Sequence, residues 1–263
     1  FAGIELGPVG FMPEDPNILA EALDEFRQEL IGGVVFRPFH DPEQWSFVLD
    51  GALRTCKALT AHGAKHLVLI DSISPRRAAT VGRYVEAEKM DNAEWDEFRE
   101  RIVTVAKIAT EEYGLTVGVH AHAGGFIDFE PELERLLGEV DESYLKICFD
   151  TGHHSFAGFD PTDFVRRNIK RISYMHFKDI NPLIKADVVS KRTDFYVACA
   201  QGIFCNLGDG DVNFQEIRKL LLENSFDGWC TIEQDCDPQG ATSPVEDAKI
   251  NRSYLNSIGF INA

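Results

Sequence analysis

Histidine, lysine and carboxylate side chains recur at the ends of four short apolar segments in the second half of the chain. They belong to the stretches His120-Ala-His122, Asp150-Thr-Gly-His153, His176-Phe-Lys178 and Glu233-Gln-Asp235. Imidazoles and carboxylates that converge on one point suit a divalent transition metal such as Mn2+, Co2+ or Zn2+, whereas Mg2+ prefers oxygen ligands and water. The pattern therefore predicts a metal-dependent enzyme, with His176 and Glu233 as its clearest ligands.

Each of these residues also has an ordinary structural interpretation. A single histidine at a strand end is more often structural than a ligand, and a single carboxylate there is more often a helix cap or a solvated turn. Recurrence at four consecutive strand ends favours the functional interpretation, because barrel enzymes build their sites at that end of the strands. Glu5, Arg37, His40 and Asp71 stand at other strand ends, where a structural role and a substrate contact are both open.

The elements that carry these residues are short, almost continuously apolar segments, which are typical of parallel strands covered on both faces. They span residues 3–6, 32–36, 66–70, 115–120, 145–149, 172–177 and 229–232. Helical patterns alternate with them, and several helices begin with proline behind an acidic cap. Such starts are Asp15-Pro16, Asp41-Pro42, Glu130-Pro131 and Asp160-Pro161. The alternation predicts an α/β fold made of repeated βα units.

The repeat predicts a (β/α)8 TIM barrel formed by residues 1–263 as a single domain. Intervals between strands are mostly near the roughly 30 residues of one βα unit. Eight strands close a standard barrel and seven segments are visible, so the first βα unit is expected upstream of Phe1. The alternative is an open doubly wound sheet, which usually carries a glycine-rich phosphate turn after its first strand. The stretch Gly7-Pro8-Val9-Gly10 does not match that turn.

Two connections are longer than one βα unit requires, at residues 72–90 and 179–211. They follow the fourth and seventh strands of the inferred eight. Because the loops after barrel strands lie on the catalytic face, both connections are expected to form walls or lids over the site.

Composition excludes several classes of partner. The chain of 263 residues carries a formal net charge of -17, which would repel nucleic acids and anionic membranes. No apolar run approaches the roughly 18 residues of a membrane span. None of the six cysteines forms a CxxC pair, so they are expected to be reduced and the protein to be cytoplasmic.

The motifs resemble those of the xylose-isomerase-like barrel superfamily, and most of all those of its inosose dehydratase group. The matching stretches span nearly the whole chain and are Ile4-Glu-Leu-Gly-Pro8, Gly10-Phe-Met-Pro13, His120-Ala-His122-Ala-Gly-Gly, Phe149-Asp-Thr-Gly-His153, Met175-His-Phe-Lys-Asp179, Gly202-Ile-Phe-Cys-Asn-Leu-Gly208 and Asp227-Gly-Trp-Cys-Thr-Ile-Glu-Gln-Asp235. By this resemblance the metal ligands fall on His120, Asp150, His176 and Glu233. The implied ion is Mn2+ or Co2+, with Zn2+ and Mg2+ as alternatives. Many relatives have glutamate at the first of these positions, whereas the dehydratase-like group carries histidines there.

The resemblance implies a dehydratase of a keto-polyol such as 2-keto-myo-inositol, in which loss of an α-proton precedes loss of water. The implied catalytic residues are Glu233, His122, His153 and Lys178. The implied substrate contacts are Glu5, His40, Asp71, His122, His153 and Lys178. A two-face epimerase commonly uses two glutamates, and Glu233 alone of that pair is present, so a one-base reaction is favoured over inversion.

Other functions remain as alternatives. A keto-sugar isomerase or epimerase would use the same metal site, and a non-catalytic sugar-binding barrel would keep only the fold. A nuclease similar to endonuclease IV is disfavoured by the acidic charge and the lack of a basic stripe. The expected partner is a small keto-sugar or keto-inositol, neither nucleic acid nor membrane is expected, and a homo-oligomer is left open.

Overall fold

The computed structural model describes residues 1–235 and 243–260. Its strands, in chain order, are β1 (Gly3–Leu6), β2 (Glu29–Arg37), β3 (His66–Asp71), β4 (Thr116–Val119), β5 (Lys146–Asp150), β6 (Ile172–Phe177), β7 (Asp179–Ile180), β8 (Phe204–Cys205) and β9 (Trp229–Ile232). β1 to β6 and β9 form one parallel sheet in that order, and β7 pairs antiparallel with β8. Because neighbours in the sheet are neighbours in the chain, the order is that of a barrel and not of a doubly wound sheet, which reverses at a switch point.

Helices connect the strands. The helices predicted behind Asp15 and Asp160 begin there, whereas Asp41-Pro42 opens a 3-10 turn ahead of the next helix, and Glu130 is the first residue of its helix and not the cap. In chain order they are α1 (Pro16–Phe26), α2 (Trp45–Ala61), α3 (Asn92–Glu111), α4 (Glu130–Glu139), α5 (Thr151–Phe156), α6 (Pro161–Asn168), α7 (Pro182–Lys191), α8 (Phe195–Ala200), α9 (Phe214–Glu223) and α10 (Pro244–Ser257). The Asp15 side chain accepts hydrogen bonds from two backbone amides at the start of α1. Asp91 and Glu94 form a reciprocal capping box at the start of α3.

The strands alternate their side chains between two apolar layers. Leu67 and Leu69 of β3 belong to the large cluster between sheet and helices. Val68 and Ile70 belong to a smaller cluster inside the sheet, and Tyr174 of β6 joins them there. Residues two apart on a strand share a face. His176 and the side chains at equivalent positions of neighbouring strands therefore continue the inward-facing set at the carboxyl ends.

The sheet is nearly closed into a barrel. β1 and β9 form its edges, and within residues 1–235 and 243–260 no strand pairs with their outer sides. A cleft of about 840 Å3 lies between them and is lined by both strands, with Glu5 and Glu233 in its wall. The prediction of a TIM barrel is confirmed, and the described residues contribute seven strands to the sheet.

The two long connections meet in a second apolar cluster, called here the lid cluster. It consists of Val81, Ala123, Phe156, Ile180, Val188, Phe195, Ala198, Ile203 and Phe204. The segment 179–211 is not a loop but contains α7, α8 and the β7–β8 ribbon. Phe195 also contacts the rings of His122 and His153. The lid cluster thus lies against the predicted site residues that follow β4 and β5.

The described residues include five free cysteines, which are Cys56, Cys148, Cys199, Cys205 and Cys230. Cys236 lies outside the described residues. None of the described helices has the length and apolar character needed to cross a membrane.

Candidate metal centre

The four side chains predicted as metal ligands stand at the carboxyl ends of four neighbouring strands. His120 directly follows β4, Asp150 ends β5, His176 is the penultimate residue of β6, and Glu233 directly follows β9. Asp150 and His176 are partners in the ladder between β5 and β6. One ligand atom from each of the four side chains lies within 4.8 Å of the others. The structure therefore brings together residues that are far apart in the chain.

The polar atoms inside this cluster lack hydrogen-bond partners. They are His120 Nδ1 and Nε2, Asp150 Oδ2, His176 Nδ1 and Glu233 Oε2. His120 Nε2 lies 3.5 Å from Asp150 Oδ2, and His176 Nδ1 lies 2.5 Å from Glu233 Oε2. An unpaired buried polar atom costs about 1–3 kcal/mol, and a shared cation would satisfy one atom from each of the four side chains. Two imidazoles and two carboxylates are a donor set that fits Mn2+, Co2+ or Zn2+.

The two carboxylates of the cluster stay ionised despite their burial. Burial alone would raise the pKa of Asp150, but the Lys178 ammonium holds it well below its usual range. Burial would likewise raise the pKa of Glu233, but Lys178 and His176 hold it well below its usual range. Both groups are therefore deprotonated at neutral pH, which is the form that binds a metal.

Lys178 places a buried ammonium beside the four predicted ligands. Its Nζ lies 2.9 Å from Asp235 Oδ2 and 3.2 Å from Glu233 Oε1. Burial alone would lower the pKa of Lys178, but Asp235, Glu233 and Asp150 raise it well above its usual range. The centre therefore contains a fixed positive charge that balances part of the charge of three carboxylates.

His122 and His153 form a second polar group next to the first. Their ring centroids are 4.0 Å apart, and both side chains are buried. Together with Asp235 they offer three ligand atoms within 4.8 Å of one another. Burial is the main cause that lowers the pKa of His122 and that of His153. The two imidazoles are therefore neutral at neutral pH, so each has one N–H and one lone pair to offer.

The remaining predicted substrate contacts occupy different places. Glu5 Oε2 lies 3.0 Å from His176 Nε2, the ring nitrogen opposite the unpaired Nδ1. Asp71 Oδ1 lies 2.8 Å from His40 Nδ1, and Asp71 Oδ2 accepts a hydrogen bond from the Phe126 amide. Glu5 thus contacts a predicted ligand. Asp71 holds His40 and the backbone at Phe126 in place. Asp71 is buried, whereas His40 is partly exposed.

Two contacts of Lys178 were not assigned from the sequence. Asp235 stands two residues after Glu233, and that spacing on an extended chain could have indicated a shared face. The Phe204 ring lies 4.8 Å from Lys178 Nζ. Nothing in the sequence around this phenylalanine distinguishes it from a core residue.

Two arginines at strand ends or loops lie away from the cluster. Arg37 packs over the ring of Phe47 on α2. Arg77 is buried in the segment 72–90 and donates two hydrogen bonds to the Glu132 carboxylate, at 2.8 and 3.1 Å. It also donates to the carbonyl of Glu88 at 2.7 Å. Arg77 therefore fixes the segment 72–90 to the first turn of α4.

Sequence comparisons give relatives over almost the full length. The family described as xylose isomerase-like TIM barrel matches residues 1–258. An inosose dehydratase from Bacillus velezensis is 30% identical over 257 residues, which cover 98% of this chain and 84% of that protein. An inosose dehydratase from Clostridium botulinum is 28% identical over 260 residues, with 97% and 84% covered.

Solved structures share the fold. The probable 3-DHS dehydratase AsbF from Bacillus anthracis superposes with a TM-score of 0.72 at 20% identity, covering 100% of this chain and 90% of that chain. The IOLI protein, crystallised with a zinc atom, superposes with a TM-score of 0.67 at 13% identity, covering 98% and 88%. At these identities the similarity concerns the fold.

Proposed function

Because the chain belongs to the xylose isomerase-like TIM barrel family, we propose that it is a metal-dependent dehydratase of a keto-polyol such as 2-keto-myo-inositol. The named relatives show an enzyme of the sugar dehydratase or isomerase type. The finer proposal depends on one observation, the buried cluster of His120, Asp150, His176 and Glu233 with its unpaired atoms. These four residues would hold the ion.

The cluster suits loss of a proton next to a carbonyl. A divalent cation bound there would act as a Lewis acid toward a chelated hydroxyketone and lower the cost of α-proton loss. Lys178 supports the same step, because its buried ammonium can stabilise negative charge that develops on the substrate oxygen. Asp150 and Glu233 remain carboxylates beside it.

In this proposal the imidazoles of His122 and His153 transfer the protons. Lys178 and His176 hold the pKa of Glu233 well below its usual range, which makes it a better ligand than base. His122 and His153 are neutral, adjacent to the cluster and unassigned as ligands. Since the two rings lie side by side, with centroids 4.0 Å apart, the arrangement favours proton movement on one face of the substrate over inversion between two faces.

The first experiment follows dehydration of 2-keto-myo-inositol by the ultraviolet absorbance of its diketone product. The protein is assayed after chelation and after return of Mn2+, Co2+, Zn2+ or Mg2+. Turnover should require the metal and should disappear in Glu233→Gln. Glu223→Gln is the matched control, because Glu223 is exposed at the end of α9.

Two other outcomes would overturn parts of the proposal. Bound metal with exchange of the substrate α-hydrogen but no loss of water would show an isomerase or epimerase on the same centre. Absence of both metal binding and turnover would reject the four-residue site and leave a non-catalytic barrel.

A further inference from the structure

Lys178 places its ammonium where two groups of possible ligands meet. One group is the predicted metal cluster, and the other consists of His122, His153 and Asp235. Lys178 is fully buried. Its Nζ lies 3.0 Å from His153 Nε2 and 2.9 Å from Asp235 Oδ2, so it contacts two of the three members of the other group. The ammonium therefore occupies a place where a cation could otherwise bind.

The ammonium and the predicted ion share carboxylates. Lys178 Nζ lies 3.2 Å from Glu233 Oε1, whereas Glu233 Oε2 is one of the unpaired atoms of the metal cluster. The same Nζ lies 3.6 Å from Asp150 Oδ2, which is the unpaired atom of that carboxylate. A divalent ion and one ammonium would together balance the charges of Asp150, Glu233 and Asp235. The centre is thus arranged for two cations bridged by carboxylates, one of which is part of the chain.

The hydroxyl of Thr151 holds the backbone of Lys178. Thr151 Oγ1 donates a hydrogen bond to the Lys178 carbonyl at 2.6 Å and accepts one from the Lys178 amide at 3.0 Å. Thr151 is fully buried and directly follows Asp150, the last residue of β5. One hydroxyl therefore contacts both peptide groups of Lys178, which fixes the base of the lysine side chain relative to a predicted ligand.

Gly152 leaves the space that the Lys178 side chain fills. A Cβ atom added at Gly152 would lie 2.7 Å from Cγ of Lys178, 2.8 Å from its Cβ and 3.1 Å from its Cδ. These atoms form the base of the side chain, and they cannot swing away while Thr151 holds the backbone. Gly152 lies in α5 without a positive φ, so its backbone conformation does not require glycine. Because glycine is otherwise unfavourable in a helix, the lysine side chain explains its presence there.

We propose that Lys178 is a built-in second cation of the centre, and that Thr151 and Gly152 are the positioning residues that hold its ammonium beside the ion site. The ammonium lowers the affinity of the centre for a divalent ion, because like charges repel. It also supplies a positive charge that is in place before substrate binds, so no reorganisation is needed when negative charge develops on the substrate. The catalytic part of this inference rests on the proposed dehydratase function, whereas the effect on metal affinity does not.

Metal affinity gives the first test, because the expected change has an unusual sign. Loss of a side chain that supports a metal centre commonly weakens binding. Lys178→Met should instead bind Zn2+ at least about tenfold more tightly than the wild type. Gly152→Ala pushes the ammonium away from the shared carboxylates and should tighten binding by about 3–10-fold. Gly138→Ala on α4 is the matched control, because a Cβ atom there meets open space.

Competition with a chromophoric chelator measures each Kd and the number of bound ions. The wild type should bind one ion per chain. Two tightly bound ions, or an unchanged or weaker affinity in Lys178→Met, would overturn the role of Lys178 as a second cation. Unchanged affinity in Gly152→Ala would overturn the role of Gly152. Gly152→Ala keeps the lysine, so it tests the inference even if Lys178→Met does not fold.

The second test asks whether Thr151 acts through Lys178, with exchange of the substrate α-hydrogen as the readout. Lys178→Met should lose about 10²–10³-fold in kcat. Thr151→Val removes the hydroxyl and should lose about tenfold, whereas Thr151→Ser keeps the hydroxyl and should stay within about threefold of the wild type. In a Lys178→Met background, Thr151→Val should have little further effect, because residues that act as a unit are not additive. Thr55→Val is the matched control, since its buried hydroxyl bonds only to the Gly51 carbonyl within α2.

The outcomes separate this inference from the proposed function. Equal losses from Thr151→Val with and without Lys178 would show that Thr151 acts on the fold, and would overturn its positioning role. A wild type that binds Zn2+ without turnover would refute the dehydratase, while the changes in affinity would still decide whether Lys178 is a second cation. A wild type that binds no Zn2+ would overturn both proposals.

Discussion

Glu5→Gln is expected to weaken metal binding although Glu5 is not a predicted ligand. Glu5 Oε2 lies 3.0 Å from His176 Nε2 and holds the proton of that ring on the far side from the cluster. With a metal ion bound, His176 Nδ1 would then offer its lone pair to the ion, whereas without the ion the Glu233 oxygen 2.5 Å away requires a proton on Nδ1. Carboxylates that accept from a ligand histidine fix its tautomer and raise its basicity, and their loss typically costs 10–100-fold in metal affinity.

The magnitude follows from the hydrogen bond that changes. A hydrogen bond to a charged group contributes about 1.5–3 kcal/mol and a neutral one about 0.5–1.5 kcal/mol. Replacing the carboxylate by an amide in Glu5→Gln should therefore weaken metal binding by about 1–1.5 kcal/mol. That corresponds to about tenfold in Kd. Glu5→Leu also leaves Nε2 of His176 unpaired and buried, so its loss should approach about 100-fold.

The assay is competition for Zn2+ or Mn2+ between the chelated protein and a chromophoric chelator. Glu29→Gln is the matched control, because Glu29 is exposed at the start of β2. Native affinity in both Glu5 variants, with only KM for the keto-polyol raised, would refute the reasoning. It would support the direct substrate contact that the sequence predicted for Glu5.

Three further predictions concern buried charges. Burial is the main cause that raises the pKa of Asp128 from 3.8 to about 7. Between these pH values the folded state keeps a proton that the unfolded chain loses. The free energy of unfolding should therefore fall as pH rises from about 4 to about 7, by up to about 4 kcal/mol. Asp128→Asn should abolish that slope in urea titrations at several pH values, and an unchanged slope would contradict the buried, protonated state. Lys178→Met leaves three carboxylates without their shared cation, so the chelated protein should lose about 3–5 kcal/mol of unfolding free energy, measured by denaturant titration. A loss below about 1 kcal/mol would show that the ammonium is not structurally needed. Arg77→Met breaks a buried pair and should expose the segment 72–90 to limited proteolysis. Arg76→Met removes exposed ion pairs and a contact with the Phe126 ring, and it should not. Equal cleavage of the two variants would argue against the anchoring role of Arg77.

The elements and the convergence of the ligands could be predicted from the sequence because both depend on local spacing. The seven apolar segments coincide with the barrel strands, since parallel strands buried on both faces are continuously apolar. His120, Asp150, His176 and Glu233 each stand at a carboxyl end, and the fold alone then places them near one another.

Contacts between distant parts of the chain could not be predicted in the same way. Glu5 and His176 are separated by 171 positions, and no spacing rule indicates that one faces the other. An arginine in a polar connection is usually exposed to solvent, yet Arg77 is buried against Glu132. The segment 179–211 was predicted as a lid, but its helices and ribbon depend on apolar contacts of residues such as Phe195 and Phe204 that are made only in the folded state.

Glu5 connects β1 to the predicted metal centre. β1 has four residues and supplies Glu5, whose carboxylate lies 3.0 Å from His176 Nε2. His176 lies in turn beside Glu233, which directly follows β9. Ion occupancy and the order of β1 are then linked, and each stabilises the other by the same free energy. Hydrogen exchange at the β1 amides would therefore report occupancy of the centre from a strand that supplies none of the four ligands.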